Sequence, residues 1–439
     1  RVAAAAVIAL AACGEPGPPS SADPASERPP DVLVIVMDTT RADRCGFAAA
    51  RATTTPRLDR LAPEAASFTN AWIPAGWTGP SHASLFTGLR PLHHGFIEPR
   101  RTFLGAGSDT LAELLTAAGY RTAAFSNNPL VSEEFGLVQG YAYAPALTLT
   151  RDRPLPHCRD AHGRALEYMQ RARADGVPFH VYVNDFEPHL PYEPPPEFEA
   201  RFVPAGTPAE DVAEARAWNN PHVLAHIVGA AETPGRILRL APHLYDAEVA
   251  HLDEELGAFV ETLRAEGLLD GTLLVITSDH GENLGEHGLW DHRLSLHGTI
   301  RRVPLLVRFP DGRMAGRRVD DVVRIEDVLP TILETVGLAV PDGLDGESLL
   351  RDDLGARIAR AAYGPQQQNR PHFVRMFPDA DPSPLAWSLR AVFDGRHHLI
   401  VRSDGHTELY DHDADPDETR NVAAERPDVV ERLRELLDP

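Results

Sequence analysis

Three acidic residues stand where apolar, β-branched runs end. Asp38 follows residues 32–37, Asp185 follows the run 179–183 and Asn184, and Asp279 follows residues 272–277 and Ser278. His280 adjoins Asp279, and His189 lies four residues beyond Asp185. Carboxylates and an imidazole brought to one place form a donor set for a divalent cation. Hard oxygen ligands suit Mg, Ca or Mn, and a histidine widens the choice to Zn or Fe. Thr78, in Trp77-Thr78-Gly79-Pro80, adds a hydroxyl, a poor nucleophile until a base or metal lowers its pKa. Pro80 suits a first helical turn, which puts Thr78 at a helix N-terminus where backbone N–H groups attract an anion. A threonine there can also serve only as an N-cap.

The elements that must position these groups are legible in outline. Residues 32–37, 121–125, 179–183, 272–277 and 303–309 read as parallel strands covered on both faces. Helical patterns lie between them at 109–118 and 246–264; the second carries Val249, Leu252, Leu256, Phe259 and Leu263 and stops at Gly267. Strands alternating with helices predict an α/β fold with a mostly parallel sheet between helices. Ligands of such sheets bind beyond the carboxyl ends of the strands, where Asp38, Asp185 and Asp279 would converge. Residues 140–165 and 196–243 show no strong period and read as insertions shaping the pocket mouth. A small C-terminal α+β unit starts near residue 370, with antiparallel strands at 386–393 and 397–401 and a closing helix at 427–437. His397 and His398 should point to opposite faces of their strand.

The motifs resemble those of the sulfatases, within the alkaline phosphatase superfamily. The family's nucleophile signature runs Cys or Ser, any residue, Pro, Ser or Ala, Arg, and ends in Leu-Thr-Gly. Here Thr78-Gly79-Pro80-Ser81-His82 leads to Leu85-Phe86-Thr87-Gly88. Asp38-Thr39-Thr40-Arg41-Ala42-Asp43, Ser278-Asp279-His280-Gly281-Glu282 and Gly285-Glu286-His287-Gly288 are similar to the family's metal motifs. Val328-Leu329-Pro330-Thr331-Ile332-Leu333, Gly343-Leu344-Asp345-Gly346, Glu408-Leu409-Tyr410-Asp411 and Asp415-Pro416-Asp417-Glu418 extend the resemblance from about residue 31 to the end.

The resemblance implies a sulfatase-like domain over 31–369 and a C-terminal subdomain over 370–439. It implies that Asp38, Asp279 and His280 bind a metal that also binds Thr78. His189, in a His-x-Pro-Tyr segment, would contact the ester oxygen or protonate the leaving group. The Asp185/His189 spacing is also that of a second zinc site in threonine-nucleophile phosphodiesterases of the superfamily, with His292 or His297 as a further ligand. One or two ions (Zn, Mn, Mg or Ca) are therefore expected. His82 replaces the family's Arg and would hydrogen-bond Thr78 or the substrate, or be structural. Arg41 would brace the Asp38 loop, and Glu282 and His287 would lie behind the ligands. Thr39 replaces a second Asp, which weakens a calcium site.

Thr78 cannot be oxidised to the aldehyde formylglycine that sulfatases use. The expected activity is cleavage of phosphate or phosphonate esters by Thr78. The alternatives are a sulfuric ester hydrolase using unmodified Thr, a transferase of phosphoryl groups in the envelope, and an inactive binding or scaffold homologue. The metal ligands argue against the last.

The 439 residues carry a net charge of −22. That argues against nucleic acid or an anionic membrane surface as the main partner; an acidic protein can still hold a small anionic ester through metal ions. Three cysteines, Cys13, Cys45 and Cys158, are too few for a disulfide framework; Cys45 and Cys158 read as buried thiols. Residues 2–12 form a short apolar run suited to a signal peptide, and Leu10-Ala11-Ala12-Cys13 resembles a lipobox. That implies cleavage before Cys13, its lipidation, and a protein anchored to a membrane facing the periplasm or exterior. The Pro/Ser-rich residues 14–30 would be a disordered tether.

Overall fold

The computed structural model describes residues 28–49, 52–98, 101–146, 157–351, 353–366 and 370–437; Cys13 and nearly all of the expected tether lie outside them. The run Asp31–Met37 is buried at every position, which a strand sustains only with both faces of its sheet covered. It forms β1. The other strands are β2 (Ala66–Trp72), β3 (Arg121–Ser126), β4 (Phe179–Asp185), β5 (Thr272–Thr277), β6 (Asn283–Leu284), β7 (Trp290–Asp291), β8 (Arg302–Arg308), β9 (Arg318–Val319), β10 (Val323–Arg324), β11 (Ala359–Tyr363), β12 (Leu389–Phe393), β13 (His397–Arg402) and β14 (Thr407–Asp411).

The main sheet runs β10-β2-β8-β5-β1-β4-β3, with β9 also on β2. Strand β8 is antiparallel to both neighbours, against the expectation of parallel pairing. Burial on both faces looks the same for either direction. The connection from β5 contains only short pieces, the longest helix being Gly298–Arg301, whereas a parallel crossover is usually made through a full α-helix.

One face of the sheet is covered by the helices Thr78–Thr87, Leu111–Ala117 and Val328–Thr335. The other is covered by Cys158–Ala174 and by Gly235–Ala265. The latter helix starts well before the predicted 246, because Ile237, Leu240 and Leu244 pack in a third cluster with Leu190, Tyr192, Trp218 and Trp290. The region 196–243 is thus mostly helical and covers the segments that carry His189 and His292. Cys45 and Cys158 are buried free thiols.

The C-terminal sheet runs β11-β12-β13-β14. Its first strand precedes the predicted boundary at 370. One face packs under the helix Pro427–Arg434, through Val392, Leu399 and Leu409. The other contributes Ala391, Ile400 and Tyr410 to the main core. This alternation places His398 against the catalytic domain, as the period of two requires.

There a buried polar chain joins the two parts. Glu418 (φ +55°, 2% exposed) accepts hydrogen bonds from the Gly298 backbone at 2.7 Å, His412 Nε2 at 2.6 Å and His398 Nδ1. Fully buried Arg301 donates to His398 Nε2 (2.9 Å), Ile73 O (3.2 Å) and Ala359 O (3.1 Å), and lies over Trp72. Removing one member strands the others in a low-dielectric interior. Glu418→Ala is therefore expected to lower unfolding free energy by about 3 kcal/mol, read from urea titration; a loss under about 1 kcal/mol would show that this chain does not hold the C-terminal sheet.

Candidate active site

Strand register decides which acids meet. Val36 pairs with Thr277, so Asp38 and Asp279, each two residues further on, stand level. Met37 pairs with Asp185, which puts Asp185 one position out of phase. Met37 faces the second helical layer with Leu33 and Ile35, and Asp185 faces the same way. There its carboxylate bonds His162 Nε2 at 3.0 Å, and the His162 ring stacks on Phe259.

After Asp38 the chain turns through Thr39 in a left-handed conformation (φ +53°). This lets Thr39 N–H reach Asp279 Oδ1 (3.3 Å) and Thr40 N–H reach Ser278 Oγ (3.0 Å). Gly281 has no room for a side chain, since a Cβ would meet Thr299 O. His280 Nδ1–H donates to Gly281 O at 2.9 Å, which leaves Nε2 with its lone pair. That atom lies 3.4 Å from Asp279 Oδ2, 4.0 Å from Asp38 Oδ1 and 3.3 Å from Thr78 Oγ1. Burial pushes the His280 pKa down to about 3, so the ring is neutral.

The donor set fits a cation. Asp38 Oδ1 and Asp279 Oδ2 are buried with no hydrogen-bond partner, and one ligand atom from each of Asp38, Asp279 and His280 lies within 4.8 Å of the others. Burial, and then the charge of Asp279, push the Asp38 pKa well above the carboxylate range. Two unpaired buried carboxylates are costly unless a positive charge joins them. His280 has the form of a metal ligand, one nitrogen free and the other donating to a carbonyl.

Thr78 is the first residue of its helix. The N-cap position belongs to Trp77, whose side chain makes no cap bond, so the Thr78 hydroxyl is not capping. It points to His280 and to Asn128 Nδ2 (3.5 Å). Ser81 Oγ ties the helix to Asp279 O at 2.5 Å. His82 does not touch the Thr78 hydroxyl. Its Nδ1–H donates to the Thr78 carbonyl (2.9 Å), and its Nε2 accepts from Tyr182 O–H (2.6 Å). It fastens the helix to β4.

Arg41 is 5% exposed and braces the site, donating to Glu282 O (3.1 Å), Glu286 (2.7 Å) and Asp43 (2.9 Å). Asn128 donates to Asp38 Oδ2 at 2.5 Å and escaped the sequence reading. The signal was present: Asn127-Asn128 follow β3 as the acids follow their strands.

The four residues expected to hold a second ion do not gather. Asp185 faces the other layer. His297 is bonded through Nε2 to Glu408 (2.9 Å) and stacks on His287. His189 and His292 do approach, with ring centroids 5.3 Å apart, and His292 lies 4.2 Å from the His280 ring. His189 Nδ1–H donates to Leu190 O at 2.7 Å, and burial pushes its pKa down to about 4. That leaves Nε2 an acceptor rather than the proton donor expected. His292 is placed differently: Asp291 and Glu282 outweigh burial and push it up to about 10.

A mostly parallel sheet with a level pair of acids, a histidine and a hydroxyl beyond its strand ends fits the ester hydrolases of the alkaline phosphatase superfamily. Residues 30–338 match the sulfatase family model, and residues 285–438 match the model for the N-sulphoglucosamine sulphohydrolase C-terminal region. The chain belongs to the sulfatase family. It is 26% identical to an ulvan-active sulfatase of Formosa agariphila over 93% of this chain and 80% of that protein. It is 28% identical to PehA of Trinickia caryophylli, a multifunctional alkaline phosphatase superfamily protein, over 73% and 76% respectively. The structure of a phosphonate monoester hydrolase of Agrobacterium radiobacter superposes with a TM-score of 0.72 at 23% identity, covering 93% of this chain and 94% of that one.

Asn128 orients Asp38, so Asn128→Ala should weaken Mn²⁺ binding at the Asp38 cluster by roughly 10- to 100-fold, and Asp38→Asn should abolish it there. Titration of chelator-stripped protein with MnCl₂ reads both; a wild-type affinity in Asn128→Ala would exclude the supporting role.

Proposed function

We propose that this sulfatase-family hydrolase cleaves phosphate or phosphonate esters with Thr78 Oγ1 as the nucleophile. The observation that carries this reading is the Thr78 hydroxyl, 3.3 Å from His280 Nε2 beside two carboxylate oxygens without partners. A divalent ion held by Asp38, Asp279 and His280 would lower the hydroxyl pKa and so supply an alkoxide near neutral pH.

Thr78 Oγ1, its proton given up to solvent, forms the bond to phosphorus as the bond to the leaving oxygen breaks, and that oxygen keeps the electron pair and takes a proton from solvent. Water attacks the phosphorylated Thr78 from the opposite side and the Thr78 Oγ1–P bond breaks. One proton of that water restores the Thr78 hydroxyl, and His189 Nε2 is free to accept a hydrogen bond. The helix start at Thr78 presents N–H groups to the anion.

Phosphorus is preferred to sulfur because threonine cannot become formylglycine, and a phosphate monoester also offers the cation more negative charge than a sulfate ester does. Cleavage of sulfate esters by unmodified Thr78 is the second reading, favoured by the ulvan-active sulfatase among the relatives.

We also propose export and anchoring through lipidated Cys13, supported by the lipobox-like Leu10-Ala11-Ala12-Cys13; among the described residues no helix is long and apolar enough to cross a membrane. Cys13→Ser should release the expressed protein from the membrane fraction, and unchanged partitioning would exclude lipidation as its anchor.

Assays with aryl phosphate, bis-aryl phosphate, aryl phosphonate and aryl sulfate test the activity. Thr78→Ala should lower kcat by roughly 10³-fold or more on any ester the wild type cleaves. Turnover of the sulfate alone would overturn the preference for phosphorus, and equal rates in Thr78→Ala would remove Thr78 as nucleophile.

A further inference from the structure

A second buried cluster lies beside the first. The Asp-His dipeptide at 279–280 recurs at 291–292. Asp291 sits on β7, paired with Asn283 of β6, and Asn283 Nδ2 donates to its carbonyl at 2.9 Å. Its backbone is left-handed (φ +63°), which turns the carboxylate inward to meet its own neighbour. Asp291 Oδ1 lies 2.7 Å from His292 Nδ1, and Oδ2 accepts from Arg293.

Glu282 completes the group, with Oε1 3.7 Å from His292 Nδ1. It is fully buried, yet neither of its oxygens has a hydrogen-bond partner. A carboxylate so placed is costly in itself, and nothing in the Asp38 cluster satisfies it. One ligand atom from each of Glu282, Asp291 and His292 lies within 4.8 Å of the others.

We propose that Glu282, Asp291 and His292 form a second divalent-cation site, distinct from the Asp38, Asp279 and His280 cluster and next to it. The inference rests on the reading that the first cluster also binds a cation. Two carboxylates and one imidazole suit Mn²⁺ or Zn²⁺. Binding exchanges the proton on His292 for the ion, and that proton leaves to solvent. Arg293 keeps Asp291 oriented. The His280 and His292 rings lie 4.2 Å apart, so the two sites are adjacent.

The test is titration of chelator-stripped full chain with MnCl₂, with bound ion and spin coupling read by electron paramagnetic resonance and folding checked by circular dichroism. Wild type should bind two Mn²⁺ per chain and give a coupled spectrum. Glu282→Gln and Asp291→Asn should each bind one, with the uncoupled six-line signal. A wild-type stoichiometry of one, unchanged in Glu282→Gln, overturns this proposal and leaves the first site standing. One ion lost in Glu282→Gln but kept in Asp38→Asn supports this site and overturns the first. No binding overturns both. Where Glu282→Gln does not fold, the stoichiometry of Asp291→Asn decides between these outcomes.

Discussion

Two carboxylates stand level at the ends of neighbouring parallel strands with one oxygen each left unpaired. The geometry around them follows from that repulsion. Asn128 and the Thr39 backbone each take up a remaining oxygen. His280 turns its free nitrogen toward the pair by giving its proton to a carbonyl. The Thr78 helix is pinned from behind by Ser81 and His82, so its hydroxyl meets the same point. None of these contacts neutralises the charge; each arranges donors around a place where positive charge belongs. The binding of a cation and the rigidity of the site are thus one property, since every brace on Asp38, Asp279 or His280 also fixes Thr78.

Much of this was legible in the chain. Burial on both faces gave the strands that matter, and the acids at their ends gave Asp38 and Asp279. Where reading failed, the missing quantity was phase or direction. Asp185 has the composition of a ligand, but the alternation of side chains along β4 turns it to the other face. Strand β8 shows the apolar run of a central strand without any sign of which way it runs. Asn128 is amide rather than acid, and so drew no attention although it follows a strand as the acids do. The Glu282 cluster depends on a two-strand hairpin and a left-handed aspartate, which no periodic pattern announces.

The residues that depart from the family motifs the sequence resembles are mutually consistent. Thr78 removes the aldehyde chemistry. His82, in place of an arginine, serves as a neutral link between the Thr78 carbonyl and Tyr182; burial lowers its pKa despite nearby Asp279. Thr39 takes away one acid from the metal loop and adopts the strained turn that brings its amide to Asp279. All three changes leave the Thr78 hydroxyl unmodified beside the Asp38, Asp279 and His280 donors, as the proposed reaction requires.

The chain of contacts from Arg301 through His398 to Glu418 has a consequence for the order in which the protein is made. Every residue of the candidate site has left the ribosome well before residue 418. Until then Gly298 and His398 lack their shared acceptor, and the Gly298–Arg301 turn, whose Ile300 carbonyl receives the Gly281 amide, is held through Arg301 but not at Gly298. The growing polypeptide therefore carries its reactive groups through synthesis with their backing incomplete, and the last strand pair and its Glu418 turn put that backing in place.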